Sequence, residues 1–599
     1  GGAGGDCGYD YHADVGSRGG DGIVFSASGR LLNSGIVTGG HGGAGGTGPN
    51  FAVAAGGTGG SGIYLERGTL TNSGTITGGA GGVGAAGYVD GATGATGDGV
   101  DLSGGGSVRN LAGGVISGGV GIAVIGSAAT TVVNYGAILG ATHAVTFASA
   151  ADELIALAGS SFVGAITGGG GTLELANGAG VVSGLGGAGQ ASGAVVATFA
   201  GFGSYIIGGG GHWTLTGANT LASGQSLTSL GALTITGAVT ETAGATISAG
   251  PTGSIVFNGA TDVLAGTIGG AGAVAFFGGV DIFDGTRFSA TGMVVNGAAV
   301  TLEHSISLAG ELRISGPNIR IGPATSLTGG GTLALSNLAT NAILAAAGDT
   351  LTNLADTISG SGLVGGGGMI LINRVGGTID GSGTHALILD TGAKAIANVG
   401  LIEATGGGGV VIQSAVYGGG RLEAAGGTLT VNGAVSGSQR GVIGGGALAF
   451  NSTFAGAVAF TGSSGVLELA RSQSYTGSIT GFSKTGGTLL DLRDIAFKSA
   501  SEATFSGTAS SGILTVTDGA HTARITLIGD YLGSTFTASS DGDGGTIVVD
   551  PTQAGAGAPP HAFVAAAAGL RAPAGGTSHA PPTFDHAAAT LFAPRVQIA

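Results

Sequence analysis

The chain has 599 residues, of which 136 are glycine, while only 9% are charged and the net charge is −15. Collagen is excluded because prolines are few and no strict Gly-X-Y period is present. A hydrophobic share of 43% argues against a disordered chain, and the acidic balance argues against binding of nucleic acid through phosphate contacts.

No run of residues reaches the roughly 18 apolar positions that a membrane helix requires. The chain begins at Gly1 with neither an initiator methionine nor a signal peptide, so we expect a processed product or a fragment. Cys7 is the single cysteine, which leaves no internal disulfide and indicates that stability comes from stacking.

A short phrase recurs along the first 150 residues and again far downstream: apolar residues, an asparagine, then a glycine within a few positions. The seven asparagines of the phrase are Asn33, Asn72, Asn110, Asn134, Asn353, Asn373 and Asn398. Their spacings are 39, 38 and 24 residues in the first group and 20 and 25 in the second. Taken as single or double steps, these spacings give a period of roughly 19 to 25 residues, which is typical of a stacked array.

Residues 1–150 alternate these phrases with glycine-rich loops at 39–62 and 78–99, after which the chain re-enters a strand. We therefore predict Gly-rich β-helix repeats with long loops in this region. Each asparagine is expected at a corner, where stacked amides form a ladder and bond the backbone of the turn. Asparagine also tolerates the left-handed conformation that such a corner can require.

Residues 151–477 are denser, with strands of four to six residues between short glycine breaks, as in GGGGTLELANG (168–178). This alternation predicts a compact parallel β-solenoid, whose inward apolar residues stack on those of the next coil about 4.8 Å away. Between the two asparagine groups we expect stacked apolar residues without a regular asparagine corner.

Residues 478–550 change character, with more charges and aromatic residues, and predict a C-terminal β module. Strict alternation on both sides of DGAH (518–521) predicts a pair of strands around that turn. Residues 551–599 are rich in alanine and proline, which cannot extend a solenoid. They are predicted to be a tail, either a linker or a segment that docks as an added strand or helix.

The stretch ITGFSKTGGTLLDLRDIAF, with the GILTVTDGAHTARITLIGDYLGSTFTASSDGDGGTIVVDP that follows it, resembles a module of large secreted alphaproteobacterial surface proteins. These are described as β-strand-repeat, autotransporter-like or hemagglutinin-like proteins, and residues 1–150 are similar to autotransporter passenger repeats. The resemblance implies a right-handed parallel β-helix, export across both membranes and a role at the cell surface. It implies no catalytic residues, and the chain departs from the family pattern because no translocator barrel follows Asp550.

Few residues indicate chemistry. Asp541 and Asp543 lie in a DGDGG turn that could share a cation with loop carbonyls, although a polar turn also explains them. The ten histidines show no HxH or HxxxH spacing, so no metal site is predicted. Asp491, Arg493 and Asp494 form a dense charged group that is either a surface ion pair or part of a glycan-processing site.

We therefore expect an all-β protein that is not an enzyme and needs no cofactor. It is expected to be a secreted structural protein of a bacterial surface, acting as an adhesin, matrix component or filament subunit through a long solenoid and end-to-end self-association. The alternative is a glycan-binding or glycan-depolymerising β-helix protein. A receptor-binding adhesin would use the loops at 39–62 and 78–99.

Overall fold

The structure is a computed structural model that describes residues 13–26, 28–48, 53–289, 292–316 and 318–552. It confirms the predicted all-β class, because parallel sheets form a β-solenoid of about 18 turns. From residue 553 onward the predicted Ala/Pro-rich tail lies outside the described residues.

The described strands, β1–β62 in chain order, fall into three sheets of 28, 18 and 16 strands. Sheet 1 comprises β1 (Ile23–Phe25), β3 (Ile36–Thr38), β4 (Ile63–Leu65), β6 (Thr75–Thr77), β7 (Val100–Leu102), β9 (Val115–Val124), β11 (Ala137–Thr146), β13 (Ser161–Thr167), β15 (Gly178–Ser183), β16 (Gly189–Gly193), β17 (Val196–Ala200), β19 (Gly211–Thr216), β22 (Ala232–Ile235), β25 (Ser254–Phe257), β28 (Ala273–Phe276), β31 (Met293–Asn296), β34 (Glu311–Ser315), β37 (Thr332–Leu335), β40 (Thr357–Ser359), β43 (Thr378–Asp380), β46 (Leu401–Ala404), β49 (Arg421–Ala424), β52 (Arg440–Ile443), β54 (Val458–Phe460), β56 (Ser478–Thr480), β58 (Ala503–Gly507), β59 (Ser511–Thr517) and β60 (Thr522–Ile528).

Sheet 2 comprises β2 (Arg30–Asn33), β5 (Thr69–Asn72), β8 (Gly106–Asn110), β10 (Thr130–Asn134), β12 (Glu153–Leu157), β14 (Thr172–Ala176), β18 (Ser204–Ile207), β21 (Ser226–Ser229), β24 (Thr246–Ala249), β27 (Thr267–Gly270), β30 (Arg287–Phe288), β33 (Ser305–Leu308), β36 (Ala324–Thr328), β39 (Thr350–Asn353), β42 (Ile370–Asn373), β45 (Ile396–Asn398), β48 (Val416–Gly418) and β51 (Val435–Gly437).

Sheet 3 comprises β20 (Ala218–Leu221), β23 (Ala238–Glu241), β26 (Thr261–Leu264), β29 (Val280–Asp284), β32 (Ala299–Glu303), β35 (Ile319–Ile321), β38 (Ala342–Ala345), β41 (Gly362–Gly365), β44 (Leu387–Asp390), β47 (Val410–Ile412), β50 (Thr428–Val431), β53 (Ala447–Phe450), β55 (Gly465–Leu469), β57 (Thr488–Leu492), β61 (Thr537–Ser540) and β62 (Thr546–Val549). A 3₁₀ turn spans Ser472–Ser474.

Strands such as β22 and β23 bury alternate residues, because successive side chains point to opposite faces. In sheet 2 the inward residues form a continuous apolar column, in which neighbours are register partners one coil apart. The column begins at the half-buried Leu31 and continues with Leu70, Val108, Val132, Leu154 and Leu173. These last five side chains are buried, so the core is a set of stacked rows along the axis.

A regular coil visits sheet 2, sheet 1 and sheet 3 in turn, as β21, β22 and β23 do. Leu227 is the register partner of Ile247, so this coil takes 20 residues. The stacking crosses residue 150 without a break, because β10 pairs with β12 and β11 pairs with β13.

The first coils are longer, and the double-step interpretation of their spacing is wrong. Asn33 is the direct register partner of Asn72, and Asn72 that of Asn110, so each long step is one coil. The extra length lies in the glycine-rich segments, which interrupt a strand of sheet 1. Both β6 and β7, on either side of residues 78–99, pair with the single long strand β9.

The C-terminal β module closes the far end of the solenoid with antiparallel strands. The predicted hairpin around residues 518–521 is confirmed, because β59 and β60 pair antiparallel, and β60 also extends sheet 1 by pairing with β56. In sheet 3, β62 pairs antiparallel with β57. The Tyr531 hydroxyl donates a hydrogen bond of 2.9 Å to the Phe482 carbonyl, which fixes the module to the last coil.

Among the described residues, no helix has the length and apolar character needed to cross a bilayer.

Candidate functional site

Five glycine-rich segments extend from the first coils as legs, and four of them form two pairs. Leg 1 covers residues 13–22, leg 2 39–48, leg 3 53–62, leg 4 78–86 and leg 5 91–99. They contain no strand, and none of their glycines has a positive φ. Their hydrogen bonds recur every third residue and join different legs, which identifies them as polyproline II-type helices without internal hydrogen bonds.

The legs form a two-layer bundle, in which one series of every third N–H donates within a layer and a second such series donates across the layers. Leg 3 donates to leg 5 in its own layer, from Gly59 to the Ala95 carbonyl at 2.9 Å. It also donates across the layers to leg 2, from Gly60 to the Gly40 carbonyl at 2.8 Å. The backbone of an otherwise irregular segment is therefore satisfied by its neighbours, and the legs are ordered as a group.

Glycine is required inside this bundle because the legs approach backbone to backbone. A Cβ on Gly59 would collide with the Gly79 carbonyl, and a Cβ on Gly82 with the Gly43 carbonyl. Gly20, on the outer side of leg 1, has no atom within 4 Å of its Cβ position. The segments predicted as loops are thus a packed element, and the missed signal is the three-residue glycine period of GGHGGAGGTG (39–48).

A polar network fastens the base of the bundle to sheet 1. Arg18 forms an ion pair with Asp21 at 2.8 Å and donates to the Ser61 hydroxyl at 3.0 Å. Ser61 in turn donates from its hydroxyl to Asp101 at 2.5 Å, and Asp98 accepts the Val120 N–H at 2.7 Å. Burial raises the pKa of the Asp101 carboxyl above its usual range.

The tip of the bundle presents apolar side chains to solvent. Tyr88 is 93% exposed, Val89 73% and Val83 66%. Tyr88 and Val89 line a shallow groove of about 520 Å³ together with Val53 and Asp90. The bundle therefore places an aromatic ring and a carboxylate at the end of a glycine scaffold.

The structure brings four of the predicted corner asparagines into one ladder at the end of sheet 2 strands. Asn33 Nδ2 donates to Asn72 Oδ1 at 2.8 Å, Asn72 to Asn110 at 2.8 Å, and Asn110 to Asn134 at 2.9 Å. Each amide also bonds backbone atoms, as Asn110 Nδ2 does to the Gly114 carbonyl at 3.1 Å. The last three members of the ladder are fully buried.

The other three asparagines form a second ladder, which ends on a residue that the sequence analysis missed. Asn353 Nδ2 donates to Asn373 Oδ1 at 3.1 Å, and Asn373 to Asn398 at 3.0 Å. Asn398 then donates to Gln439 Oε1 at 3.1 Å, and Gln439 Nε2 returns to the Asn398 carbonyl at 2.6 Å. In the coil after Asn398, Ala397 pairs with Tyr417, and the residue that follows Tyr417 is Gly418 rather than an amide. The absent Cβ at Gly418 leaves room for the longer glutamine side chain, whose Nε2 lies 3.4 Å from that position.

The ladder explains the glycines that follow Asn110 and Asn373. A Cβ on Gly114 would collide with Asn110 Oδ1, and a Cβ on Gly377 with Asn373 Oδ1. The expectation of a left-handed asparagine is wrong, because the described non-glycine residues with positive φ are Asn177 and His304. The corner asparagines end β-strands, and the turn is made by the residues after them.

Between the two groups the corner column is apolar or small, as expected. Asn134 is followed in register by Ala156, Leu175 and Ile207, and the column continues through Ser229. The stacking of side chains is therefore maintained where the amides are absent.

A third amide ladder lies on the surface and was not predicted. Asn432 Nδ2 donates to Gln413 Oε1 at 2.7 Å, and Asn451 Nδ2 to Asn432 Oδ1 at 2.6 Å. Arg493 extends the line by donating to Asn451 at 3.0 Å and to Glu468 at 2.7 Å. The 19-residue spacing of the three amides is the signal that could have shown it.

The charged group at 491–494 is used for structure. Arg493 forms an ion pair with Glu468 at 2.7 Å, and Asp491 lies within β57. Asp494 accepts the backbone N–H of Ser472 at 3.0 Å and that of Gln473 at 3.2 Å, so it holds the 3₁₀ turn.

The DGDGG turn joins β61 and β62. Asp541 Oδ1 accepts the N–H of Asp543 at 2.7 Å and that of Gly545 at 2.8 Å, so one carboxylate oxygen serves the turn. The structure does not bring a third acidic or histidine side chain to this pair within the described residues.

Asp284, Glu303 and His304 form a surface cluster that the sequence spacing did not indicate. Their ligand-type atoms lie within 4.8 Å of one another, and His304 Nδ1 is 2.5 Å from Asp284 Oδ1. Asp284 and Glu303 are register partners, and His304 reaches back through a φ of 58°. These three side chains could contact a divalent cation, and the His304–Asp284 ion pair alone also accounts for their arrangement.

Comparison of the chain with protein-family models, with curated protein sequences and with solved structures gives no significant match.

Proposed function

We propose that the protein is a non-enzymatic, extracellular structural component of a bacterial surface, serving as an adhesin, matrix component or filament subunit. The observation that carries the proposal is the length of the solenoid. About 18 turns, each advancing about 4.8 Å, give a rod of roughly 86 Å. The interior gap beside Leu173 and Tyr205 has a volume of only about 10 Å³, so this part of the core is packed solid.

The surface location is supported by the resemblance of residues 478–550 to modules of secreted alphaproteobacterial proteins. It is tested by protease treatment of intact cells of the source organism, with a cytoplasmic enzyme as the control. We expect loss of the protein and retention of the enzyme. Complete protection of the protein in intact cells would contradict the proposed location.

Self-association is supported by the difference between the two ends of the described solenoid. The first coil leaves its inward residues Ile23, Phe25 and Leu31 only partly buried, and β2 pairs only with β5 among the described strands. A charge at this end should block stacking of another chain, because an unpaired strand edge accepts new strands. We expect Leu31→Lys to reduce the oligomers seen by light scattering, whereas Val375→Lys, on an exposed side position, leaves them unchanged.

Glycan binding at the tip of the glycine bundle is the second candidate function. It is favoured by the groove that Tyr88 and Asp90 line, since aromatic rings stack on sugar rings and carboxylates accept hydroxyl donors. Tyr88→Ala should abolish binding on an array of bacterial and plant glycans. Tyr417→Ala, which removes a half-exposed tyrosine from the side of the solenoid, should leave binding intact.

Equal glycan binding by both tyrosine variants would show that the tip of the bundle is not the glycan site. Turnover of a polysaccharide that is lost in Asp494→Asn would instead favour the depolymerase alternative.

A further inference from the structure

Two aspartates face each other in the dry interior of the solenoid. Asp262 in β26 and Asp281 in β29 are register partners in sheet 3, one coil apart. Each is only 1% exposed. The next residue in the same inward column is Val300, so the carboxyls interrupt an otherwise apolar row.

The hydrogen bonds around the pair lack one donor. Asp262 Oδ1 accepts the Val239 N–H at 2.7 Å. Neither carboxylate oxygen of Asp281 has a hydrogen-bond partner. Among the described residues, no lysine, arginine or histidine forms an ion pair with either aspartate. Two adjacent buried carboxylates would repel each other strongly, and a proton between them supplies the missing donor.

We propose that Asp262 and Asp281 share one proton taken from solvent, and that this proton makes the coils around them a pH-sensitive segment of the solenoid. With the proton bound, Asp281 donates a hydrogen bond to Asp262 and the segment is stable. When the proton is lost, two negative charges face each other in the core and the segment becomes less stable.

The electrostatics of the pair support this assignment. Burial raises the pKa of both carboxyls, and the neighbouring charge of Asp262 further raises the pKa of Asp281. In the unfolded chain both groups have ordinary acidic pKa values. The folded segment therefore holds a proton that the unfolded chain releases, and its stability falls as the pH rises.

The pH effects of other titratable groups near the pair must be distinguished from that of the pair. Glu241, at the end of β23 in the preceding coil, is also 1% exposed. Asp284, Glu303 and His304 lie at the outer end of β29 and β32, where they are partly or fully exposed. The test is therefore made in a Glu241→Gln background and above the pH range in which an exposed histidine titrates.

The experiment follows unfolding in urea through the fluorescence of Trp213, the single tryptophan, which is buried in a nearby coil of sheet 1. In the parent we expect the folded-to-unfolded ratio to fall by up to about tenfold per pH unit above neutrality, until the pair loses its proton. Asp281→Asn supplies a permanent amide donor, so the fall should disappear. Glu311→Gln, which removes an exposed carboxylate of a surface ion pair, should behave as the parent does.

Infrared spectroscopy gives a second readout that does not depend on variants. With ¹³C-labelled aspartate, the folded protein should show an isotope-shifted band of a protonated carboxyl at neutral pH. The absence of that band, or an unchanged pH profile in Asp281→Asn, would overturn the proposal. If Asp281→Asn does not fold, Asp281→Val continues the apolar column of Val300 and replaces it in the test.

Discussion

Asn110 shows how one side chain connects three coils. Its amide accepts from Asn72 Nδ2 at 2.8 Å and donates to Asn134 at 2.9 Å, and it also bonds the Gly114 and Ala137 carbonyls at 3.1 and 3.2 Å. The amides and the Gly114 carbonyl are buried, so each needs a partner inside the protein.

Asn110→Ala should therefore destabilise the solenoid by about 3 kcal/mol, because it leaves several buried polar atoms unpaired. Asn432→Ala interrupts an amide ladder that water can reach, and should cost less than about 0.5 kcal/mol. Urea unfolding followed by circular dichroism measures both. Similar losses of unfolding free energy in the two variants would show that burial does not determine how much a ladder stabilises the protein.

Glu241 gives the second prediction at this scale. Burial raises the pKa of its carboxyl to about 8, while Oε2 accepts the Gly266 N–H at 3.1 Å. The unfolded chain releases this proton near the ordinary pKa of 4.5. The stabilising contribution of the proton is thus complete below about pH 4.5 and is lost as the pH rises through about 8.

We expect Glu241→Gln to make the decline of stability between pH 5 and 8 less steep, because glutamine keeps the acceptor and removes this titration, while the Asp262–Asp281 pair still contributes. Thermal unfolding monitored by Trp213 fluorescence across this pH range measures the effect. A decline as steep as that of the unmodified chain would assign the pH dependence to other groups.

The sequence predicted a shared environment for residues in a recurring phrase, and it did not predict the contacts of residues outside such a phrase. The seven asparagines recur in a common phrase, so their shared environment could be inferred before their contacts were seen. Gln439 bonds Asn398 where a further asparagine would continue the ladder, but it lies outside the recurring phrase. Nothing in its local sequence indicates this role. Asp262 and Asp281 occur in strand-like sequence, and only the three-dimensional register shows that they face each other.

At the scale of the element, the glycine legs depend on small side chains in a way that strands do not. The strands of the solenoid keep neighbours about 4.8 Å apart through their own hydrogen bonds, with side chains on both faces. The legs have hydrogen bonds on more than one side, so inward positions must lack a Cβ.

Gly59→Ala should disrupt the bundle by about 3 kcal/mol or more, because its Cβ would meet the backbone of leg 4. Gly20→Ala, where no atom lies within 4 Å, should change stability by less than about 0.5 kcal/mol. Hydrogen exchange of residues 53–62 and 78–99 measures both variants. Retained protection in Gly59→Ala would show that the legs can separate without cost.

The legs are also the elements that the sequence patterns did not predict. Glycine-rich segments of irregular appearance were predicted as loops, because period two and period 3.6 are the patterns that indicate strands and helices. A period of three has no buried apolar face to reveal it. The two long spacings among the asparagines were misread for the same reason, since a coil with a glycine insertion has no standard length.

At the scale of the whole molecule, the fold follows from strand-length apolar alternation and frequent glycine breaks. The same solenoid runs from the first described coil to the antiparallel C-terminal module. Isolated particles should therefore be rods with a solenoid about 86 Å long and a lateral projection near one end. Negative-stain imaging checks this, and compact round particles would contradict it.

The glycine insertion also constrains how such a chain can change over evolutionary time. A single hairpin satisfies only the N–H groups that join its own two legs, such as Gly60 to Gly40, and a lone copy would leave the groups that join neighbouring hairpins, such as Gly59 to Ala95, without partners. Selection therefore favours duplication of a whole coil with its hairpin, and not the gain of one hairpin alone. Loss follows the same rule: hairpins should be lost first at legs 4 and 5. The strand beside them, β9, already shows the uninterrupted form.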